Sequence, residues 1–399
     1  MRQGGRLSHM EREDYRVFIS YCHRDEPYAR ILAEYLRQEG LRPLWDKNIL
    51  EGTGFTEQIQ RFISHAHAFL AFITPNANTR GWVQQEIGFA RALNIPILPV
   101  SVGQLPAGIL EQVLATRLDK PGSVALSGSG GLPLDRIPRF IQRTLLSGYC
   151  LRRVTTVENL RRLRLGETLR GLVHQSAGAG VLSWKYVQHN RDRVQCLAEY
   201  AREVSRLEEY GMVRQKSGLT SFQTPDVGPN DRYFEVRYGD KPRNMDYRHL
   251  ILGERRELAR HAERKGCKLI INPTADYDSY GPESKRVRVE ALLAFLRQPP
   301  HPETYAVITR DRNPRESLTL VGDWFSATSV SIQLGEGFRQ TVFCKHAPSV
   351  TAQMREFDEE FHRILAGKGV ASEGAEAAEA SRRQAAEELA PFADGRAHP

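Results

Sequence analysis

No stretch of this 399-residue chain approaches the roughly 20 consecutive apolar residues that a membrane-spanning helix needs. The opening MRQGGRLSHMEREDYR is charged where a secretory signal would be apolar. Cysteine is scarce. Cys22, Cys150, Cys196, Cys267 and Cys344 are dispersed, and none forms a C-x-x-C pair. Paired ligands are what a structural zinc site is built from, so no metal is expected. An odd, scattered count fits a reducing compartment, and the expectation is a cytoplasmic protein. No G-x-G-x-x-G follows the first apolar run, which argues against an ordinary Rossmann dehydrogenase. No G-x-S-x-G marks a nucleophile elbow. The formal charge is +8, yet no basic stretch is interleaved with aromatics at regular spacing. The charge is therefore read as solvated arginine faces, not as a nucleic-acid surface.

What is present is alternation. Residues 16–20 (RVFIS) form a short apolar run of the kind a buried strand shows. Pro27 then suits the start of a helix, with Tyr28, Leu32, Tyr35 and Leu36 at helical spacing and Gly40 closing it. Residues 41–45 read as a second strand, and a helix is marked by Ile59, Phe62 and Ile63. The run 68–74 (AFLAFIT) reads as a continuous strand stopped by Pro75. Residues 82–93 read as a helix and 95–102 as a further strand. Near-continuous apolar strands separated by helices predict a flavodoxin-like α/β domain, a parallel sheet covered on both faces, over 12–147.

Beyond it, 148–170 reads as a basic helical connector carrying Arg152, Arg153, Arg161, Arg162, Arg164 and Arg170 on a solvated face. A second domain, α/β or α+β, is expected over 171–366, closed by an amphipathic helix with Phe357, Phe361 and Leu365 on one stripe. Residues 367–399 are rich in Ala and Glu and poor in large apolar groups, so they are expected to be disordered or transiently helical.

Three motifs then carry a resemblance. Phe18-Ile19-Ser20-Tyr21 with Asp25 resembles the first signature box of TIR (Toll/interleukin-1 receptor) domains of bacterial type. Trp45-Asp46 through Gly52 to Phe55 is similar to the second box and its BB loop, with Glu51 where proline often stands. Gly81-Trp82-Val83-Gln84-Gln85-Glu86-Ile87 resembles the helix that carries a tryptophan and, four residues on, a glutamate. The resemblance implies one of two activities. Some TIR domains cleave NAD at the nicotinamide–ribose bond, and others act only as adaptors through TIR–TIR contact. In the cleaving kind the glutamate of this helix is catalytic, which maps onto Glu86. The second domain faintly resembles the phospholipase D-like fold at Leu320-Val321-Gly322-Asp323-Trp324-Phe325, but lacks the H-x-K-x-x-x-x-D motif. That resemblance implies a catalytically dead domain that senses a ligand or partner.

The residues themselves agree with a site at Glu86. Trp82 and Glu86 are four apart, so an aromatic wall shares a helix face with the carboxylate. Nicotinamide leaves as a neutral group and needs no acid. The developing oxocarbenium charge on the ribose is what one carboxylate can stabilise, without a metal. In a doubly wound sheet ligands bind beyond the carboxyl ends of the strands. Ser20 and Tyr21 end the first strand and Asp46 the second, so Ser20, Tyr21, Asp46 and Trp82 are the candidate NAD contacts. The alternatives are a strand-end cap for Ser20 and a packed ring for Tyr21. His23 and Arg24 are read as exposed loop residues. His65 and His67, two apart on a helix, do not share a face for a metal. The expectation is a TIR effector in bacterial defence signalling. It takes NAD as substrate, self-associates through its TIR domain and is controlled by an unknown trigger at the second domain. The alternative is a non-catalytic TIR adaptor.

Overall fold

The computed structural model describes residues 15–45, 55–77, 81–103, 110, 115–118, 151–152, 154–177, 185–187, 190–219, 242–274, 282–310, 316–330, 340–371 and 373–393. They divide into two compact units, the first drawn from Met1–Gly180 and the second chiefly from Val181–Lys345 and Ser349–Pro399.

The first unit opens with β1 (Arg16–Ser20), α1 (Glu26–Gln38) and β2 (Arg42–Leu44). Pro27 sits in the first turn of α1, Leu32, Tyr35 and Leu36 are its buried stripe, and Gly40 at φ 73° ends it. Then come α2 (Phe55–Ser64), β3 (Ala68–Ile73), α3 (Gly81–Ala92), β4 (Ile97–Ser101) and β5 (Thr116–Arg117). The sheet has the order β2-β1-β3-β4-β5, and every pairing among the described strands is parallel. All six residues of β3 are buried, as a strand covered on both faces requires. This is the expected flavodoxin-like α/β architecture. Its strand order reverses between β1 and β3, the place where such sheets open a ligand crevice. The end of the domain expected over 12–147, residues 119–147, lies outside the described residues.

Two expectations change here. Residues 157–177, read as a connector and the start of the second domain, form α4 (Val157–Arg162) and α5 (Leu165–Ala177) and belong to the first unit's core. Leu160, Leu165, Leu169 and Val173 pack in one cluster with Val17, Ile19 and Leu70, and Gly166 N–H donates to the Tyr35 hydroxyl at 3.1 Å. The arginines stay on the outer face, where Arg161, Arg162 and Arg164 are exposed. Their charge dominated the reading of a segment whose apolar stripe decides its packing. Second, His65 and His67 lie between α2 and β3, not on a helix. Both are buried, and His67 Nδ1 accepts the Arg16 backbone N–H at 2.9 Å.

The second unit is a seven-stranded mixed sheet with helices. In chain order it comprises β6 (Lys185–Val187), α6 (Asn190–Arg206), β7 (Val213–Ser217), α7 (Pro242–Lys265), β8 (Cys267–Ile271), α8 (Pro282–Arg297) and β9 (Thr304–Ile308). β10 (Glu316–Val321), β11 (Phe325–Val330), β12 (Gln340–Cys344), α9 (Ala347–Gly367) and α10 (Ala375–Ala393) follow. The order is β6-β12-β11-β10-β7-β8-β9. β7, β8 and β9 are parallel, and the remaining neighbours are antiparallel. Alternation assigns the two faces. Leu269, Ile271, Ala306 and Ile308 meet α6, α7 and α8, whereas Ile270, Tyr305 and Val307 meet α9. The segment 320–325 is the β10–β11 hairpin. Gly322 has φ 50°, and a Cβ on Gly211 would stand 2.5 Å from Gly322 N, so that crossing admits only glycine.

The Ala/Glu-rich stretch expected to be disordered is instead α10, with Ala377, Ala378, Ser381, Ala385 and Leu389 buried. It runs along β9, the last strand of the sheet. Ser381 Oγ accepts the Ala306 N–H at 3.4 Å, and Arg382 Nη1 donates to the Thr304 carbonyl at 2.7 Å. The Tyr305 hydroxyl accepts the Gly374 N–H at 3.1 Å at the helix entry. Large apolar groups are not needed here. Small alanines let the helix approach an edge whose backbone groups its polar residues satisfy. No helix among the described residues is long and apolar enough to cross a membrane.

Candidate active site

β1 lies between β2 and β3, and its register pairs Ser20 with Ala71 of β3. The backbone at Ser20 is thereby held on the β3 side, at the carboxyl end of a central strand. Ser20 is buried, and its Oγ donates to Glu86 Oε2 at 2.5 Å. Glu86 stands on α3 with only 7% of its surface exposed. Val83, Ile87 and Ala90, on the same helix, are buried and hold α3 down against the unit. A carboxylate withdrawn this far from water needs a donor, and the strand-end hydroxyl is one.

Trp82, one turn before Glu86, is half-buried on the same helix face. Tyr21 is placed differently. Its ring belongs to the apolar cluster of the unit and packs on Trp45 at a centroid distance of 6.1 Å, the arrangement of a packed ring. His23 and Arg24 are exposed in the turn after β1, as expected. Asp46 lies outside the described residues. Of the sequence candidates, then, the structure joins Ser20 to Glu86 and sets Trp82 beside them on α3.

A second carboxylate occupies the same end of the sheet. Asp25, in the turn between β1 and α1, is 1% exposed. Its Oδ2 accepts from Thr74 Oγ1 at 2.5 Å and its Oδ1 from Asn76 Nδ2 at 2.8 Å. Thr74 Oγ1 in turn accepts the Ala77 N–H at 3.1 Å. Asp25 thus ties the turn after β1 to the turn after β3, the segment that leads into α3. Sequence reasoning noted Asp25 only as part of a motif and did not select Thr74 or Asn76. Their signal was position, since both follow the end of the apolar 68–73 run, where a doubly wound sheet places its site.

No cluster of three or more His, Cys, Asp or Glu among the described residues is placed to hold a metal ion. Chemically, the arrangement offers a buried carboxylate, one oxygen anchored to a strand, at the edge of a crevice position. It can stabilise positive charge that develops on a bound group and orient a nucleophile toward it. Residues 17–124 match the family model described as TIR domain. No curated protein matches the chain.

Proposed function

We propose that this chain, whose residues 17–124 match the TIR domain model, is an effector that cleaves NAD at the nicotinamide–ribose bond with Glu86 as catalytic residue. The observation that carries this reading is the buried Glu86 carboxylate held by Ser20 at the carboxyl end of β1.

In the proposed reaction the C1′–N bond breaks and its electron pair leaves with nicotinamide, which departs neutral because its ring nitrogen was cationic. The ribose acquires oxocarbenium character, which the Glu86 carboxylate stabilises. Water then adds at C1′ and loses a proton to solvent, giving ADP-ribose. An internal nucleophile of the ADP-ribose part gives a cyclic product instead. Trp82, one turn before the carboxylate on α3, and Asp46, after β2, are the proposed NAD contacts. The second unit acts as the sensor that controls self-association of TIR domains, in bacterial defence signalling in the cytoplasm. We read it as a phospholipase D-like domain with no catalysis assigned to it.

The test is nicotinamide release from NAD by the full chain at high protein concentration, with and without a crowding agent. Glu86→Gln and Glu86→Ala are run beside it. Wild-type release, with both variants folded and at least about 1,000-fold slower, is the expected result. Equal rates in wild type and variants would remove Glu86 from the chemistry. Absence of release under every assembling condition would favour the adaptor.

A further inference from the structure

We infer that Ser20 is a positioning residue for Glu86, not a contact for NAD. The inference rests on the proposed role of Glu86 for its kinetic arm, but not for its spectroscopic one.

A glutamate side chain has three rotatable bonds, and ordering it costs entropy. Glu86 Oε2 is met by a hydroxyl whose backbone is held by the sheet, because Ser20 ends β1 in register with Ala71 of β3. One held oxygen together with the Cγ–Cδ bond fixes the plane of the carboxylate. At 1% exposure, and with its Oγ donating at 2.5 Å to Glu86, Ser20 presents little surface to a ligand. The bond spans 66 positions of sequence and joins strand to helix, so it also sets where α3 stands relative to the strand end. A donor to an ionised carboxylate favours the charged form, which is the form that stabilises an oxocarbenium ion.

The experiment compares the full-length wild type with Ser20→Ala and Ser20→Thr in steady-state NAD cleavage across pH. It adds the ¹³C NMR titration of the Glu86 carboxyl, assigned by its loss in Glu86→Gln. In Ser20→Ala, kcat is expected to fall about 10- to 100-fold with KM held within about twofold. The acid limb of the pH profile should move up by about one pH unit. Ser20→Thr, which keeps the hydroxyl, should recover most of the lost kcat. If Ser20→Ala does not fold, Ser20→Cys fills the site with a weaker donor and carries the same comparison. A raised KM at unchanged kcat would overturn the inference and return Ser20 to the ligand. Should wild type release no nicotinamide, the enzymatic reading fails while this one is still tested. An upward move of the Glu86 midpoint in Ser20→Ala supports it, and an unmoved midpoint overturns it.

Discussion

The two units hold their packed carboxylates in different ways. In the first, Glu86 is met by a serine hydroxyl and Asp25 by a threonine hydroxyl and an asparagine amide. In the second, Asp358 of α9 is gripped by the Arg214 guanidinium at 2.8 and 2.9 Å and by Lys268 at 3.2 Å. Glu360 is held by Lys216 at 2.6 Å. A hydroxyl orients a carboxylate without cancelling its charge, whereas a guanidinium does both. Burial pushes the Asp358 carboxyl up, but Arg214 and Lys268 outweigh it and hold the group below the usual carboxylate range. The second arrangement is suited to fastening a helix to a sheet. The first fixes the direction of the carboxylate.

That contrast can be broken by substitution. The largest expected effect is on turnover. Glu86→Gln should abolish nicotinamide release yet melt no earlier than wild type, because it removes a buried charge and keeps the shape. A variant that lost activity only together with its melting temperature would make Glu86 structural, like Asp358. Next in size, Asp358→Asn should cost about 3 kcal/mol in urea unfolding at neutral pH, since it leaves the buried Arg214 without its charge partner. The sign with pH follows from the depressed folded value. The contribution of Asp358 is complete above the unfolded carboxylate pKa of about 4. It is lost as the pH falls through the lower folded value, so wild type and variant should converge in acid. A gap that stays constant with pH would assign the cost to packing.

Asp25→Ala should cost the first unit about 2 kcal/mol by stranding the donors of Thr74 and Asn76, with Asp25→Asn milder. Thermal unfolding followed at the first unit's tryptophans reads this. The smallest effect belongs to Ser381→Ala, about 1 kcal/mol from the Ala306 N–H that loses its acceptor.

The sequence made the first unit legible where side chains declare their surroundings locally. The all-apolar β3 and the helical stripe of α1 read directly as buried elements. The same logic failed at β7, whose Arg214, Gln215 and Lys216 resemble loop chemistry. Their partners Asp358 and Glu360 are 144 positions away, and Thr319 is 104 away, so the pattern of polar residues held no trace of the burial. The site divides the same way. The spacing from Trp82 to Glu86 was visible on one helix, but the Ser20 hydrogen bond and the Asp25 tie cross from one strand end to another and depend on the fold. At α10 composition misled, because a helix that completes an existing sheet edge needs less apolar bulk than one that founds a core.

The sealing of β9 by α10 also has a consequence in time. β9 ends at Ile308 and α10 begins at Ala375, so a growing chain presents the strand well before the helix that covers it. In that interval the Thr304 carbonyl and Ala306 N–H are an open template for a neighbouring nascent chain. Ribosomes translating one message hold such chains close together, which makes the pace of synthesis between those two points a determinant of how much protein matures as single, correctly closed molecules.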